Sequence, residues 1–143
     1  MGLSGFTMDN QIVADKLEKS ILDRVCGLLA LLPNTLSYEN IGLFVTVCER
    51  IEKITSDAFT EADVLGCRDY FSGWRRLLTP WWKNGYTKWE YAYDDGFTWS
   101  DFINYIVECG CVCVTVHSDY TEPTIFFSND GVEKFCISLS KED

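Results

Sequence analysis

Positive charge is what this chain has least of: its 143 residues hold 12 Lys and Arg against 22 Asp and Glu, for a net charge of −10. That balance argues against phosphate-backbone binding, because nucleic-acid affinity rests on concentrated cations. No nucleic acid is expected as a partner, and an acidic chain suits basic or amphipathic ones. Glycine-rich phosphate loops are missing too, since Gly85 and Gly96 stand alone. Histidine occurs once. No apolar run reaches membrane-spanning length, and even Ile21 to Leu32 is broken by Asp23 and Arg24. The start, Met1-Gly2-Leu3-Ser4-Gly5-Phe6, lacks a basic region followed by an apolar core, and Phe6 stands where a myristoylation motif takes Ser or Thr. The end, Ser138-Leu139-Ser140-Lys141-Glu142-Asp143, is polar, so no transmembrane anchor is expected. Seven Cys form an odd count without disulfide-scaffold spacing, which fits a reducing cytosol.

What is present points to one domain with a substantial core, since 47% of the residues are hydrophobic. Punctuation divides the chain into helical pieces. Val13, Leu17, Ile21, Val25, Leu28 and Leu32 form one stripe that Asp9 or Asn10 can cap and Pro33-Asn34 stops. After Ser37, Ile41, Phe44, Val45, Cys48, Ile51 and Thr55 predict a second helix. Thr60 with Asp63 predicts a third, continued by Val64, Cys67, Phe71, Trp74 and Leu78. Thr79-Pro80 reads as a cap with Pro at the first helical position. It opens a fourth helix along Trp82, Tyr86, Trp89 and Tyr93, weakened by Gly85.

The most informative stretch follows. Tyr93-Asp94-Asp95-Gly96-Phe97-Thr98-Trp99 leads into Ser100, Asp101 and a long apolar series, with Thr98 and Asp101 spaced as a capping box. Trp99, Phe102, Ile103, Ile106, Val107, Gly110, Cys113, Val114 and His117 keep helical steps, predicting one helix from about Thr98 to Val116. Against it, Cys111-Val112-Cys113-Val114-Thr115-Val116 is β-branched and alternating, as strands are. The unbroken period from the cap favours helix.

Asp95, Gly96, Phe97 and Trp99, continued without a gap to Gly110, Cys113 and Val114, resemble the first homology motif of the Bcl-2 family. Glu122-Pro123-Thr124-Ile125 and Asn129-Asp130-Gly131 resemble its second motif less closely, with Thr124 and Val132 in place of Trp. The resemblance implies an all-α, single-domain Bcl-2-like bundle around a buried central helix, with Gly96, Trp99 and Gly110 as motif and core positions. Without an anchor, it is similar to the members encoded by large DNA viruses. The implied activity is pro-survival and non-enzymatic: pro-apoptotic BH3-containing proteins such as Bim are sequestered in a hydrophobic groove. That groove falls on Phe71, Trp74, Leu78, Trp82, Lys88, Ala92, Thr98, Ser100, Asp101, Ile103 and Asn104. The host cytoplasm is the implied location, with recruitment to mitochondria through partners, and a homodimer is admitted.

In that family an Arg follows the Trp-Gly pair and holds the ligand's Asp, whereas Ser100 and Asp101 stand here. The alternative is therefore a Bcl-2-fold scaffold with a closed or self-associating groove, acting in innate immune signalling. Residues 70–99 hold more than half of the aromatics, and the adjacent Trp81 and Trp82 cannot both face one core, which leaves one for a protein contact. Cys109, Cys113 and His117 share one face of the predicted helix, where a metal or Cys–His site is conceivable. Small residues packed in a central helix account for them better. No metal, cofactor or catalytic residue is expected.

Overall fold

A computed structural model of the chain describes residues 3–71, 75–118 and 122–142. The all-α bundle is overturned: three long helices cover one face of a five-stranded antiparallel sheet. Helix α1 (Leu3–Leu29) and helix α2 (Ile41–Val64) follow the two predicted stripes. They run antiparallel, for Arg24 meets Glu61 while Leu28 lies opposite Ile54. Helix α2 continues through the predicted cap at Thr60 and stops at Gly66, whose φ of 73° lets Cys67 N–H reach Ala62 O and Gly66 N–H reach Asp63 O. That paired C-terminal closure needs the left-handed backbone that glycine adopts without steric cost. The predicted third helix is reduced to α3 (Arg68–Phe71).

The predicted fourth helix is a hairpin. Strand β1 (Arg75–Asn84) and strand β2 (Lys88–Tyr91) pair from Asn84↔Lys88 to Trp81↔Tyr91 around the loop Gly85-Tyr86-Thr87. Gly85 takes a φ of 71°, and Asn-Gly between apolar runs is a hairpin signal. Pro80 sits where β1 passes beyond the end of β2. Its missing N–H costs no ladder bond there, and its carbonyl accepts from Ala92 N–H at 3.0 Å.

The long central helix is cut in half. Helix α4 (Trp99–Glu108) starts as predicted, with Thr98 Oγ1 accepting from Asp101 N–H at 3.1 Å. It ends at Gly110, φ 83°, where Gly110 N–H bonds Val107 O and Cys111 N–H bonds Ile106 O. The β-branched remainder becomes strand β3 (Cys113–His117). Strand β4 (Thr124–Asn129) and strand β5 (Val132–Glu142) form a second hairpin. Its two-residue turn, Asp130 at φ 50° and Gly131 at φ 78°, has the doubly positive φ that matches strand twist.

The strand order is β2-β1-β5-β4-β3. On the helix-covered face, Leu78 pairs with Leu139, one row runs across the sheet through Pro80, Ile137, Ile125 and Val116, and the next through Trp82, Phe135, Phe127 and Val114. Phe44 of α2 meets Phe127 at 6.1 Å, and Ile21, Val25, Ile51, Ile103 and Ile106 complete a core with almost no solvent exposure.

Candidate functional site

Alternation along β1 sends Trp81 and Trp82 to opposite faces of the sheet. Trp82 lies on the helix-covered side, in register with buried Phe135, and stays 38% exposed. Trp81 lies on the open side, in register with Tyr91 and Cys136. Its ring is 5.7 Å from Tyr91, and its Nε1 donates to Ser138 Oγ at 3.0 Å. From there a belt of rings turns around the β2 edge. Tyr91 stacks on Tyr93 at 5.6 Å, Tyr93 meets Phe97 at 5.0 Å, and Phe97 meets Trp99 at 4.8 Å and Phe102 at 5.6 Å. Phe102 and Tyr105 both close on Phe135. Tyr91, Tyr93 and Tyr105 are each about half exposed.

The open face is partly roofed. Trp89 reaches Phe126 at 6.1 Å, His117 stands edge-on to Phe126 at 5.2 Å, and Lys83 Nζ lies 5.3 Å from the Trp89 centroid. Cys136, in register between Trp81 and Phe126, is only 6% exposed, and burial, helped by the Glu133 charge, pushes its thiol up to about 12. Burial also raises the Tyr91 hydroxyl, with Tyr93 adding to the effect. Both groups are therefore neutral at ordinary pH.

The β2 backbone completes the site. Because Ala92 N–H bonds Pro80 O, the even positions 88 and 90 face β1 in the antiparallel pattern, and the N–H and C=O groups of Trp89 and Tyr91 point away from the sheet. No strand pairs with that side among the described residues. At the opposite edge, β3 is covered where it starts: Leu36 N–H bonds Val112 O, and Val114 N–H bonds Asn34 O.

Comparison with protein-family models, with curated proteins and with solved structures finds no match. The site is thus described by its own geometry. The residues expected to line one groove fall in three places. Phe71, 1% exposed and packed on Phe59, and Ile103, 0% exposed, are core, as is half-buried Leu78 opposite Leu139. Trp82, Lys88 and Ala92 lie on the β1–β2 hairpin, with Lys88 Nζ 3.9 Å from Glu90. Thr98, Ser100, Asp101 and Asn104 lie on the first turns of α4, where Asn104 Nδ2 donates to Ser100 O at 2.8 Å. Trp74 lies outside the described residues.

Gly96 makes the turn before α4 with φ 80°, Trp99 is buried with its Nε1 donating to Glu52, and Gly110 closes α4 rather than packing inside a helix. Cys109 caps α4, whereas Cys113 and His117 stand on β3, so the three share no helical face. Among the described residues no group of three or more His, Cys, Asp or Glu is placed to hold a metal, and no helix is long and apolar enough to cross a membrane. Sequence reasoning missed Phe126, Cys136 and Ser138. The Asn129-Asp130-Gly131 turn between two apolar runs is the signal that locates them.

Proposed function

We propose that this protein is a partner-binding module that adds an extended segment of another protein to its β2 edge, with the aromatic belt gripping that segment's side chains. One observation carries the reading: the outward backbone groups of Trp89 and Tyr91 lie on an edge that no described residue pairs with, flanked by the exposed rings of Tyr91 and Tyr93. An unpaired edge is a template for strand addition, in which main-chain hydrogen bonds supply affinity and alternate side chains supply specificity. Each such bond contributes roughly 0.5–1.5 kcal/mol net, and tyrosine adds large contact area at small entropic cost. The fitting partner is a segment rich in β-branched or aromatic residues with few acidic ones, given the chain's net charge of −10.

Amide hydrogen exchange during peptide titration tests this. With an extended peptide selected from a random library, the Trp89 and Tyr91 amides become protected together. The pro-survival activity implied by the motif resemblance enters the same titration as a competing ligand, a Bim-type BH3 peptide. Sub-micromolar binding of that helix, with Trp89 and Tyr91 exchange unchanged, overturns strand addition and moves the partner to a helical surface.

A further inference from the structure

On the side of α1 and α2 turned away from the sheet, a cleft of ≈ 500 Å³ has Leu28 and Ile54 on its floor and Arg24, Arg50 and Lys53 on its rim. It continues at one end, past Thr60, Val64 and Leu65 along α2, and a hollow on the outer face of α1 at that same end carries Lys16 and Lys19. Those residues recur at three- and four-residue steps along each helix, so the cleft is a trough between two antiparallel rods. From Arg50 to Val64 it runs about 21 Å at 1.5 Å per residue.

Two features set this trough apart. Five of the chain's 12 cations line it or the adjoining hollow on α1 (Lys16, Lys19, Arg24, Arg50 and Lys53) against only three of its 22 carboxylates (Asp23, Asp57 and Glu61). The trough is thus locally positive on an acidic molecule. Arg24 is held by Glu61 and Lys53 by Asp57, each at 3.2 Å, while Arg50 makes no ion pair among the described residues. The second feature is Gly27. It lies inside α1, two residues before the helix ends, without a left-handed φ, and a Cβ built on it would meet nothing within 4 Å. The backbone therefore does not require glycine, which weakens a helix relative to Ala. A side chain there would stand in the cleft.

We infer that this trough is a second docking site, and that its occupant is an acidic amphipathic helix of a partner protein. Two antiparallel helices leave a groove that a third helix fills by interleaving its own i, i+3 and i+4 ridges. Leu28, Ile54, Val64 and Leu65 receive the apolar stripe of that helix, and the cations on the two rims receive carboxylates on its flanks. Arg50 supplies a charge that no ion pair among the described residues consumes, and Gly27 lets the incoming backbone approach closely.

The test uses two fluorescent 16-residue helical peptides with the same Leu stripe, one flanked by Glu and one by Lys, titrated against the full chain by anisotropy. The acidic peptide is expected to bind the more tightly, to lose about tenfold affinity with Arg50→Glu and at least as much with Gly27→Leu, and to be indifferent to Tyr91→Ala. Circular dichroism establishes that each variant keeps its fold, and Gly27→Leu, which relieves a helical glycine, is expected to melt no lower than the parent. Equal affinity for the two peptides, no binding of the acidic one, or no effect of Gly27→Leu overturns the inference. Binding of single-stranded oligonucleotide without peptide binding overturns it as well, and makes the trough a polyanion site.

Discussion

Gly110 and Gly85 both hold positive φ, at 83° and 71°, yet they answer to different neighbours. An Ala at either position meets the left-handed penalty of about 1–2 kcal/mol. At Gly110 the new Cβ would also lie 2.9 Å from Asn129 Nδ2, whereas at Gly85 it would meet nothing within 4 Å. Urea denaturation is therefore expected to show Gly110→Ala as the more destabilising change, and Asn129→Ala as a second mutation removes the excess. Equal costs in both backgrounds would mean that Asn129 does not seat the end of α4. Cys136 gives a pH-dependent counterpart. Its thiol is raised from an ordinary 9.0 to about 12 in the fold, first by burial and then by Glu133. Above pH 9 the unfolded chain loses this proton while the folded one keeps it, so the folded state binds more protons and stability falls as pH rises toward 12. Each raised thiol contributes a slope of about 1.4 kcal/mol per pH unit in that window. Stability curves from pH 8 to 10.5 should be flatter for Cys136→Ala than for the parent, and a difference constant with pH would place the thiol in solvent.

Among the elements, α1, α2 and the start of α4 were legible because each buries one face and leaves a polar one, so their period of 3.6 survives in the sequence. Strand β1 buries Pro80 and half-buries Leu78 beneath α2 and half-buries Leu77 and Trp81 on the other side, so no apolar–polar alternation remains to announce a strand. The helical spacing of Trp82, Tyr86, Trp89 and Tyr93 is then a coincidence across a hairpin, and Asn84-Gly85 was the better guide. At residues 111–116 the β-branched composition was the true signal, and period carried over from α4 hid it. The site was legible to the same degree: Trp81, Trp82, Tyr91 and Tyr93 stood out by type, while their partners on β4 and β5 depended on a topology that a helical reading excludes. The α4 cap makes the correct part measurable. Thr98→Ala removes the oxygen that accepts Asp101 N–H and should cost about 1 kcal/mol. Asp101→Arg should cost roughly 0.3–1 kcal/mol through the helix dipole. A melting temperature unchanged by both would remove the cap from the account of why α4 begins there.

For the molecule as a whole, one layer of helices over one sheet leaves two sheet edges and one sheet face to manage, and the two edges are treated differently. The segment Asn34–Leu36 takes up Val112 O and Val114 N–H, so β3 is covered where it starts. In the same register Val116 points its backbone groups outward beyond that cover. Among the described residues nothing covers strand β2 in this way, and it relies on brevity, with four residues, and on the charges of Lys88 and Glu90. A single hydrogen-exchange experiment on the protein alone reads all of this. Glu90, whose N–H faces β1, and Val114, bonded to Asn34, should exchange slowly. Trp89, Tyr91 and Val116 should exchange within the same run at rates nearer those of solvent-facing amides. Repeating the run over a hundredfold range of protein concentration separates the free edge from self-association, for β2 pairing with β2 of a second copy would protect Trp89 and Tyr91 only at the high end. Protection of those two amides at every concentration would mean that β2 is not an edge. The proposed strand addition would then have no place to occur, whereas the α1–α2 trough, on the far side of the helical layer, would be untouched by that result.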